Sequence, residues 1–134
     1  MKTLKYLIES LFVKLSFLIF KIVGYKKASN LGASIGSIVG PLFRSKNLVK
    51  KNIQYAFPNL TDDEMQKFIK KMWTNYGRIF SEYMYIKKFR RKELDKYLNI
   101  NGIETLEKIK KEGKPVIFIS GHFNNFELMA MQLE

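Results

Sequence analysis

The chain has 134 residues, with 24 Lys and Arg against 12 Asp and Glu, and a net charge of +12. This length suits one domain, and 46% hydrophobic residues provide enough apolar surface for a core, which argues against a disordered chain. With no cysteine and one histidine, the composition excludes disulfides, thiolate metal sites, a cysteine nucleophile and any metal site that needs two imidazoles. The positive charge implies an anionic partner, which is a nucleic acid, a phospholipid surface or an acidic protein.

The first segment, from Leu4 to Val23, is rich in Leu, Ile and Phe and is about as long as a helix that crosses a bilayer. Four charged residues interrupt it: Lys5, Glu9, Lys14 and Lys21. A lysine near the middle of a spanning helix costs roughly 2.5–3.5 kcal/mol. We therefore predict a membrane-associated anchor that lies in the interface or inserts with its lysines reaching the surface. A secretory signal peptide and a buried helix of a soluble core are the alternatives.

The next segment carries three glycines at intervals of four residues: Gly32, Gly36 and Gly40. On a helix they form a smooth stripe that permits close approach of a second backbone, as in membrane helix pairs, and Pro41 should end or kink that helix. We predict a helical hairpin seated on a membrane, with residues 1–43 as the anchor and residues 44–134 as a separate domain. A tight helix pair in another environment and a Gly-rich loop are the alternatives.

The middle of the chain predicts two helices. A short helix follows Arg44 and should stop before Pro58. Thr61 to Glu64 then matches a capping box, in which a Thr hydroxyl and a Glu carboxylate satisfy the first free amides of a helix. Apolar residues recur at steps of three and four through Tyr85, which indicates a long helix whose apolar stripe packs in the core.

Basic residues cluster after this long helix: Lys87, Lys88, Arg90, Arg91 and Lys92. Such a run is usually a solvated face. Near an anionic membrane it can instead hold phospholipid headgroups, at about 1 kcal/mol per basic residue. Nucleic acid is not favoured as the partner, since the sequence has no helix-turn-helix pattern, aromatic-basic strand or metal knuckle.

The C-terminal part predicts a βαβ unit. Leu98 and Ile100 alternate with polar residues as in a strand, and residues 103–112 have one apolar helical face. The run from Val116 to Ile119 is wholly apolar, as in a buried parallel strand. The predicted fold class is therefore α/β and helix-rich, with N-terminal membrane-associated helices followed by the start of an α/β domain whose sheet is incomplete.

The second predicted strand leads to His122 and Glu127, which are separated by four residues. Catalytic groups collect at the carboxyl ends of strands in α/β folds. With a helix beginning near Asn125, the Glu127 carboxylate can reach back to the imidazole, select its tautomer and stabilise its charged form. A general base needs this pairing to activate a hydroxyl. A purely structural role for a lone loop histidine is the alternative.

Residues 113–130, GKPVIFISGHFNNFELMA, resemble the strand and H-x4-D/E motif of the bacterial lipid A biosynthesis acyltransferases. The N-terminal apolar segment, the Gly-spaced segment, Asn52 ahead of the Phe-Pro-Asn-Leu run at 57–60, and the Ile-Asn-Gly step at 100–102 agree with that family. The resemblance implies transfer of a fatty acyl chain from a thioester, on acyl carrier protein or coenzyme A, to a hydroxyl of a lipid A precursor or related glycolipid.

The same resemblance implies roles for particular residues. His122 is expected to be the catalytic base and Glu127 to orient it, and the expected substrate-binding residues are Gly121, Asn124, Asn125, Arg90 and Arg91. No metal, nucleotide or other cofactor is implied. The expected partners are a membrane lipid or glycolipid acceptor, acyl carrier protein and an anionic membrane surface, with no nucleic acid. The expected location is the cytoplasmic face of the bacterial inner membrane.

Length is where the chain departs from the resemblance. Members of that family are longer than this chain, and two parallel strands cannot satisfy the edges of a sheet. We therefore expect the N-terminal part of an acyltransferase, a truncated chain whose own activity is left open. A non-catalytic basic membrane-binding module is the alternative from a different functional class.

Overall fold

A computed structural model describes residues 2–133. Over that range the chain forms seven α-helices, joined by turns and short 3-10 segments. They are α1 (Lys2–Val23), α2 (Tyr25–Val39), α3 (Lys46–Ala56), α4 (Asp62–Glu82), α5 (Ile86–Arg90), α6 (Ile103–Glu112) and α7 (Phe126–Ala130). These helices form two compact units, the first ending at Tyr85 and the second beginning at Ile86. The predicted division into residues 1–43 and 44–134 stays a prediction, because compactness alone does not define a functional domain.

The prediction of an α/β fold is wrong, since residues 2–133 contain no β-strand. The first predicted strand, around Leu98 and Ile100, is irregular and follows a 3-10 turn at Asp95–Tyr97. The run from Val116 to Ile119 is irregular, with Ile117 88% and Ile119 93% exposed. A strand needs a neighbouring backbone for its ladder hydrogen bonds, and no segment of the described range supplies them to this run. The apolar composition of this run led to the strand prediction, but composition does not supply the neighbouring strand that a sheet requires.

The prediction of membrane helices at the N-terminus is also wrong. α1 covers 22 residues, but its lysines and Glu9 divide the apolar runs. Among residues 2–133, none of the helices has both the length and the apolar character needed to cross a membrane, which conflicts with the predicted membrane helices. The first unit is instead a helical assembly in which α1 contacts α2, and α2 packs along α4.

The glycine stripe of α2 packs directly on α4. Gly32 faces Gly77 and Ser81, while Gly36 faces Trp73 and Gly77. A Cβ atom built on Gly36 lies 2.5 Å from the Trp73 carbonyl oxygen and 2.7 Å from the Gly77 Cα. Because backbone atoms fill this space, no side chain can move aside to admit a larger residue. The structure thus shows a tight helix pair, which was an alternative to the predicted membrane hairpin, and the glycine stripe has α4 as its partner in place of the N-terminal segment. α2 ends just before Pro41 as expected.

A polar cluster joins the same two helices at the other end of their contact. Ser29 Oγ donates a hydrogen bond to Glu82 Oε1 at 2.7 Å. The Arg78 guanidinium donates to Ser29 Oγ at 3.2 Å and to Asn30 Oδ1 at 2.9 Å. Ser29 is buried, so its bonds to Glu82 and Arg78 replace lost contacts with water. The cluster therefore favours one register of α2 against α4.

The remaining core of the first unit is small. The Tyr85 hydroxyl donates a hydrogen bond to the Phe20 carbonyl oxygen, which ties the end of the unit to α1. Burial raises the pKa of Tyr85. The other buried apolar residues are Ala28, Ala33, Ile53 and Met65. Contributions from all four helices make this unit one packed assembly.

Both helices predicted for the middle of the chain are confirmed. α3 stops at Ala56, before Pro58. Thr61 caps α4, because its Oγ1 accepts from the Glu64 amide at 3.3 Å while its own amide donates to Glu64 Oε2 at 2.9 Å. The Thr61 amide and the Thr61 hydroxyl, which donates to the same Glu64 Oε2 atom at 2.8 Å, hold the pKa of Glu64 below its ordinary value.

Candidate functional site

Of the two predicted catalytic residues, His122 lies in the turn that leads into α7 and Glu127 lies on α7 itself. Asn124 has a φ of +49°, in the left-handed region that Asn tolerates better than most residues. Asn125 is the N-cap residue of α7, so the helix begins where the sequence predicted. The turn brings the His122 ring against the Phe126 ring, with 3.6 Å between the two centroids.

His122 and Glu127 are neighbours along this turn. Glu127 occupies the first turn of α7, directly after Phe126. The His122 side chain is exposed, whereas Glu127 is half-buried. Within residues 2–133, no hydrogen bond or ion pair joins the imidazole to the carboxylate. Their pairing as base and orienting acid stays a prediction.

A groove of about 750 Å³ lies beside this turn, and we call it the α6 groove. α6 contributes Leu106 and Ile109 to its wall, and the irregular run contributes Val116 and Phe118. Ser120 and Asn125, which flank His122 in the sequence, also line the α6 groove. The Asn125 Oδ1 atom is buried there. The segment that carries the predicted base thus borders a mainly apolar space.

Sequence reasoning missed the α6 groove because it assigned these apolar residues to a core. The signal was present in the stripe Ile103, Leu106 and Ile109, and in the apolar run that follows. The pattern shows which residues share a face, but only tertiary structure shows whether another element covers that face. In the described residues the run stays exposed, which leaves the groove open.

The other predicted site residues fall in two places. Gly121 and Asn124 shape the turn, since the Phe123 amide donates to the Gly121 carbonyl at 2.9 Å and Asn124 takes the left-handed conformation. Arg90 ends α5 and Arg91 follows it, both exposed and neither lining the α6 groove. The Arg91 guanidinium lies 3.9 Å from Glu93 Oε1. Substrate binding by these residues stays a prediction.

The described residues contain no group of three or more His, Asp or Glu side chains placed to hold a metal ion. Glu127 lies on α7, whereas Glu104, Glu107 and Glu112 lie on α6. The turn and the start of α7 thus provide an imidazole that can transfer a proton and a carboxylate that follows it in the sequence. An apolar groove lies beside them. The prediction that no cofactor is used stays a prediction.

Comparison with known proteins decides the family. The sequence model of the family described as bacterial lipid A biosynthesis acyltransferase matches residues 1–134. The chain belongs to this acyltransferase family. The resemblance inferred from the H-x4-E run is therefore confirmed.

Two curated relatives of this lipid A acyltransferase family member have low sequence identity to it. The lipid A biosynthesis palmitoleoyltransferase of Escherichia coli (strain K12) is 24% identical over 99 residues, which cover 73% of this chain and 32% of the relative. A lipid A biosynthesis acyltransferase of Haemophilus influenzae is 26% identical over 106 residues, covering 78% and 33%. The chain thus spans about a third of the length of these curated relatives. No solved structure matches it significantly.

Proposed function

We propose that this chain takes part in transferring a fatty acyl group from a thioester to a hydroxyl of a lipid A precursor or related glycolipid. The donor is acyl carrier protein or acyl-coenzyme A, and the site of action is the cytoplasmic face of a bacterial inner membrane. Membership of the acyltransferase family is the observation that carries this proposal. The position of His122 at a turn beside the α6 groove supports it.

His122 acts as the general base. Its neutral imidazole takes the proton of the acceptor hydroxyl while the hydroxyl oxygen attacks the thioester carbonyl carbon. The tetrahedral intermediate then collapses, the carbon–sulfur bond breaks, and the leaving thiolate receives that proton from the imidazolium. The products are an ester and a free thiol, so protons and electrons balance.

Glu127 acts through His122. A carboxylate near an imidazole favours its protonated form and selects which ring nitrogen carries the proton. Glu127 lies on the first helical turn after the loop, within one residue of the Phe126 ring that the imidazole contacts. Rotation of the exposed His122 side chain brings the two groups together when substrate binds.

The α6 groove accepts part of an acyl chain. Leu106, Val116 and Phe118 offer it apolar wall, and each CH₂ group removed from water contributes about 0.8 kcal/mol. Asn125, which lines the groove, donates a hydrogen bond from its side-chain amide to a carbonyl oxygen of the substrate. The exposed Arg90 and Arg91 attract acceptor phosphates or an acidic carrier protein.

Acyl transfer to a radiolabelled lipid A precursor, with acyl carrier protein and coenzyme A thioesters supplied separately, tests this proposal. We expect His122→Ala to lower the rate by about 10²–10⁴-fold, as loss of a general base does. Glu127→Gln should lower the rate less and should shift its pH profile, since it acts through the imidazole. Glu104→Gln on the exposed face of α6 is the matched control and should leave the rate unchanged.

Two results contradict the proposal. One is a rate in His122→Ala and Glu127→Gln equal to that of the unmodified chain. The other is a complete lack of transfer by the unmodified chain with either thioester. Circular dichroism of each variant ensures that a lost rate does not reflect a lost fold.

A second candidate function, a basic membrane-binding module without catalysis, is favoured by the exposed cations around α5. All five are exposed: Lys87, Lys88, Arg90, Arg91 and Lys92. Replacing these five residues with Gln should then weaken sedimentation with anionic vesicles, while His122→Ala should not affect it. Unchanged sedimentation of the five-residue variant would count against the module.

A further inference from the structure

Two neighbouring grooves in the first unit meet at Trp73. The first, about 580 Å³ in volume, lies where the end of α2 and α3 face α4, and we call it the basic groove after the cations that line it: Arg44, Lys46, Lys50 and Lys70. The second, about 480 Å³, is lined largely by Phe43, Leu48, Met72 and Tyr76, and we call it the aromatic groove. Arg44, Val49 and Trp73 line both.

The charge of the basic groove is only partly neutralised. Lys50 pairs with Asp62, whose carboxylate oxygen lies 2.6 Å from the Lys50 ammonium nitrogen. Arg44, Lys46 and Lys70 make no ion pair within residues 2–133. Cations held near one another without counter-charges repel, so an anion that binds between them relieves that repulsion.

The start of α3 adds to the same positive field. α3 begins at Lys46, and its N-cap residue Ser45 makes no side-chain hydrogen bond to the first amides. No acidic residue lies in its first turn. The positive end of the helix dipole is therefore uncompensated next to Arg44 and Lys46.

The aromatic groove exposes apolar surface that lacks cover in the described residues. Phe43 is 78% exposed and Tyr76 is 57% exposed. Trp73 is held from behind, since a Cβ atom built on Gly40 lies 2.5 Å from Cδ2 of the indole. The indole thus forms a fixed wall between a positive groove and an apolar one. A ligand that fills both must combine an anionic group with a hydrocarbon chain.

We propose that the two grooves bind a phosphorylated amphiphile, with the phosphomonoester in the basic groove and the hydrocarbon chain along Trp73 in the aromatic groove. A phosphomonoester carries close to two charges and three acceptor oxygens at neutral pH, which matches three unpaired cations better than a carboxylate does. The inference concerns binding only. Its test needs no acyl donor, so it and the proposed acyl transfer can fail separately.

Trp73 provides a direct readout, because it is the single tryptophan of the chain. The full chain is titrated with dodecyl phosphate below its micelle concentration while Trp73 fluorescence is recorded. We expect a saturable blue shift, as hydrocarbon replaces water at the half-buried indole. Laurate, the neutral dodecyl maltoside and inorganic phosphate should each bind at least 10-fold more weakly.

Variants test the assigned cations. Arg44→Gln combined with Lys46→Gln and Lys70→Gln should weaken dodecyl phosphate binding at least 10-fold. The matched control replaces three α6 lysines, Lys108, Lys110 and Lys111, with Gln, which lowers the net charge equally and should change binding less than 2-fold. Arg44→Gln alone, at an exposed position, should weaken binding about 3-fold and serves as the second variant if the triple variant unfolds.

Several outcomes would overturn the proposal. Equal affinity for inorganic phosphate would mean a simple ion site without a lipid. Equal affinity for laurate or dodecyl maltoside would mean a non-selective apolar surface. An equal loss of affinity in the α6 control variant would mean that net charge alone attracts the ligand. The absence of any saturable change in Trp73 fluorescence would mean that the grooves do not bind a phosphorylated amphiphile.

Discussion

At the scale of single residues, close backbone contact is what most sharply restricts this sequence. Gly36 of α2 lies against the backbone of α4 at Trp73 and Gly77. Alanine is the better helix former by up to about 1 kcal/mol, so the glycine is costly to α2 taken alone. The close approach of the two helices requires a glycine here, because an added methyl group would meet the backbone of α4.

Gly36→Ala should destabilise the chain by about 1–3 kcal/mol, because the added methyl group meets backbone atoms and must push the two helices apart. Urea unfolding followed by circular dichroism measures this change. Ser34→Ala, on the exposed face of the same helix, is the control and should stay within about 0.5 kcal/mol of the unmodified chain. A stabilised Gly36→Ala variant would show that helix propensity dominates and that the contact is looser than described.

His122 shows the limit of residue-level reasoning. Its place in an H-x4-E run identified the family, and its ring contacts Phe126 at the turn. The imidazole–carboxylate pairing depends on side-chain rotation, which spacing along the chain does not determine. Spacing shows only that four residues separate the two groups along the chain, and the described structure leaves their hydrogen bond unformed.

At the scale of elements, local chemistry sets where helices begin and end. The capping box of Thr61 and Glu64 starts α4, and the αL glycine Gly113 follows the last residue of α6. These signals act within a few residues, so they could be read in the sequence without knowing the fold. Helix boundaries in the middle of the chain were accordingly predicted well.

Thr61→Ala should destabilise the chain by about 1 kcal/mol at neutral pH, because the Glu64 amide loses its hydrogen-bond acceptor. The pKa of Glu64, held below its ordinary 4.5 by Thr61, should also rise toward that value. Because the pKa of Glu64 is lowered in the folded chain, its ionised carboxylate stabilises the fold above pH 4.5, and this stabilisation is lost as the pH falls further. The difference in unfolding free energy between Thr61→Ala and the unmodified chain should therefore narrow below pH 4.5.

Unfolding free energies measured by urea titration from pH 7 down to pH 3 test this behaviour. Thr61→Ser keeps the hydroxyl and should match the unmodified chain across the whole range. A difference for Thr61→Ala that is constant with pH would show that Glu64 takes no part in the cap.

At the scale of the whole molecule, stability is unevenly distributed between the two compact units. The first unit contains a long helix pair with a close backbone contact, a polar cluster and a buried core. The second contains helices of only 5, 10 and 5 residues, which are too short to persist without packing. Among the described residues of this second unit, Phe89 is the one buried apolar side chain.

A fragment of residues 1–85 should therefore keep its helical circular dichroism and melt cooperatively. The packing partners of α2, namely α1 and α4, are all present in it. A fragment of residues 1–56 is the control, since it lacks α4 and should lose the cooperative transition. Residues 86–134 alone should be largely unfolded. A featureless melt of the 1–85 fragment would contradict the assignment of most stability to this unit.

The sequence alone determined the family, the end of α3, the start of α4 and the small-residue face of α2. Each depends on short-range patterns: the H-x4-E run, the capping box at Thr61, and three glycines spaced by four. The interactions behind these patterns act between residues that lie within one or two helical turns of each other. No knowledge of distant residues was needed to interpret them.

Tertiary structure decided what those patterns could not. The apolar run from Val116 to Ile119 has the composition of a buried strand, yet strand formation depends on a partner backbone elsewhere in the chain, and none pairs with it in residues 2–133. The basic and aromatic grooves likewise arise from residues far apart in sequence, Arg44 and Trp73 among them. Which residues meet in such a groove depends on which helix faces pair and which faces stay uncovered. Local sequence patterns do not contain that information, because the paired helices are far apart in the chain.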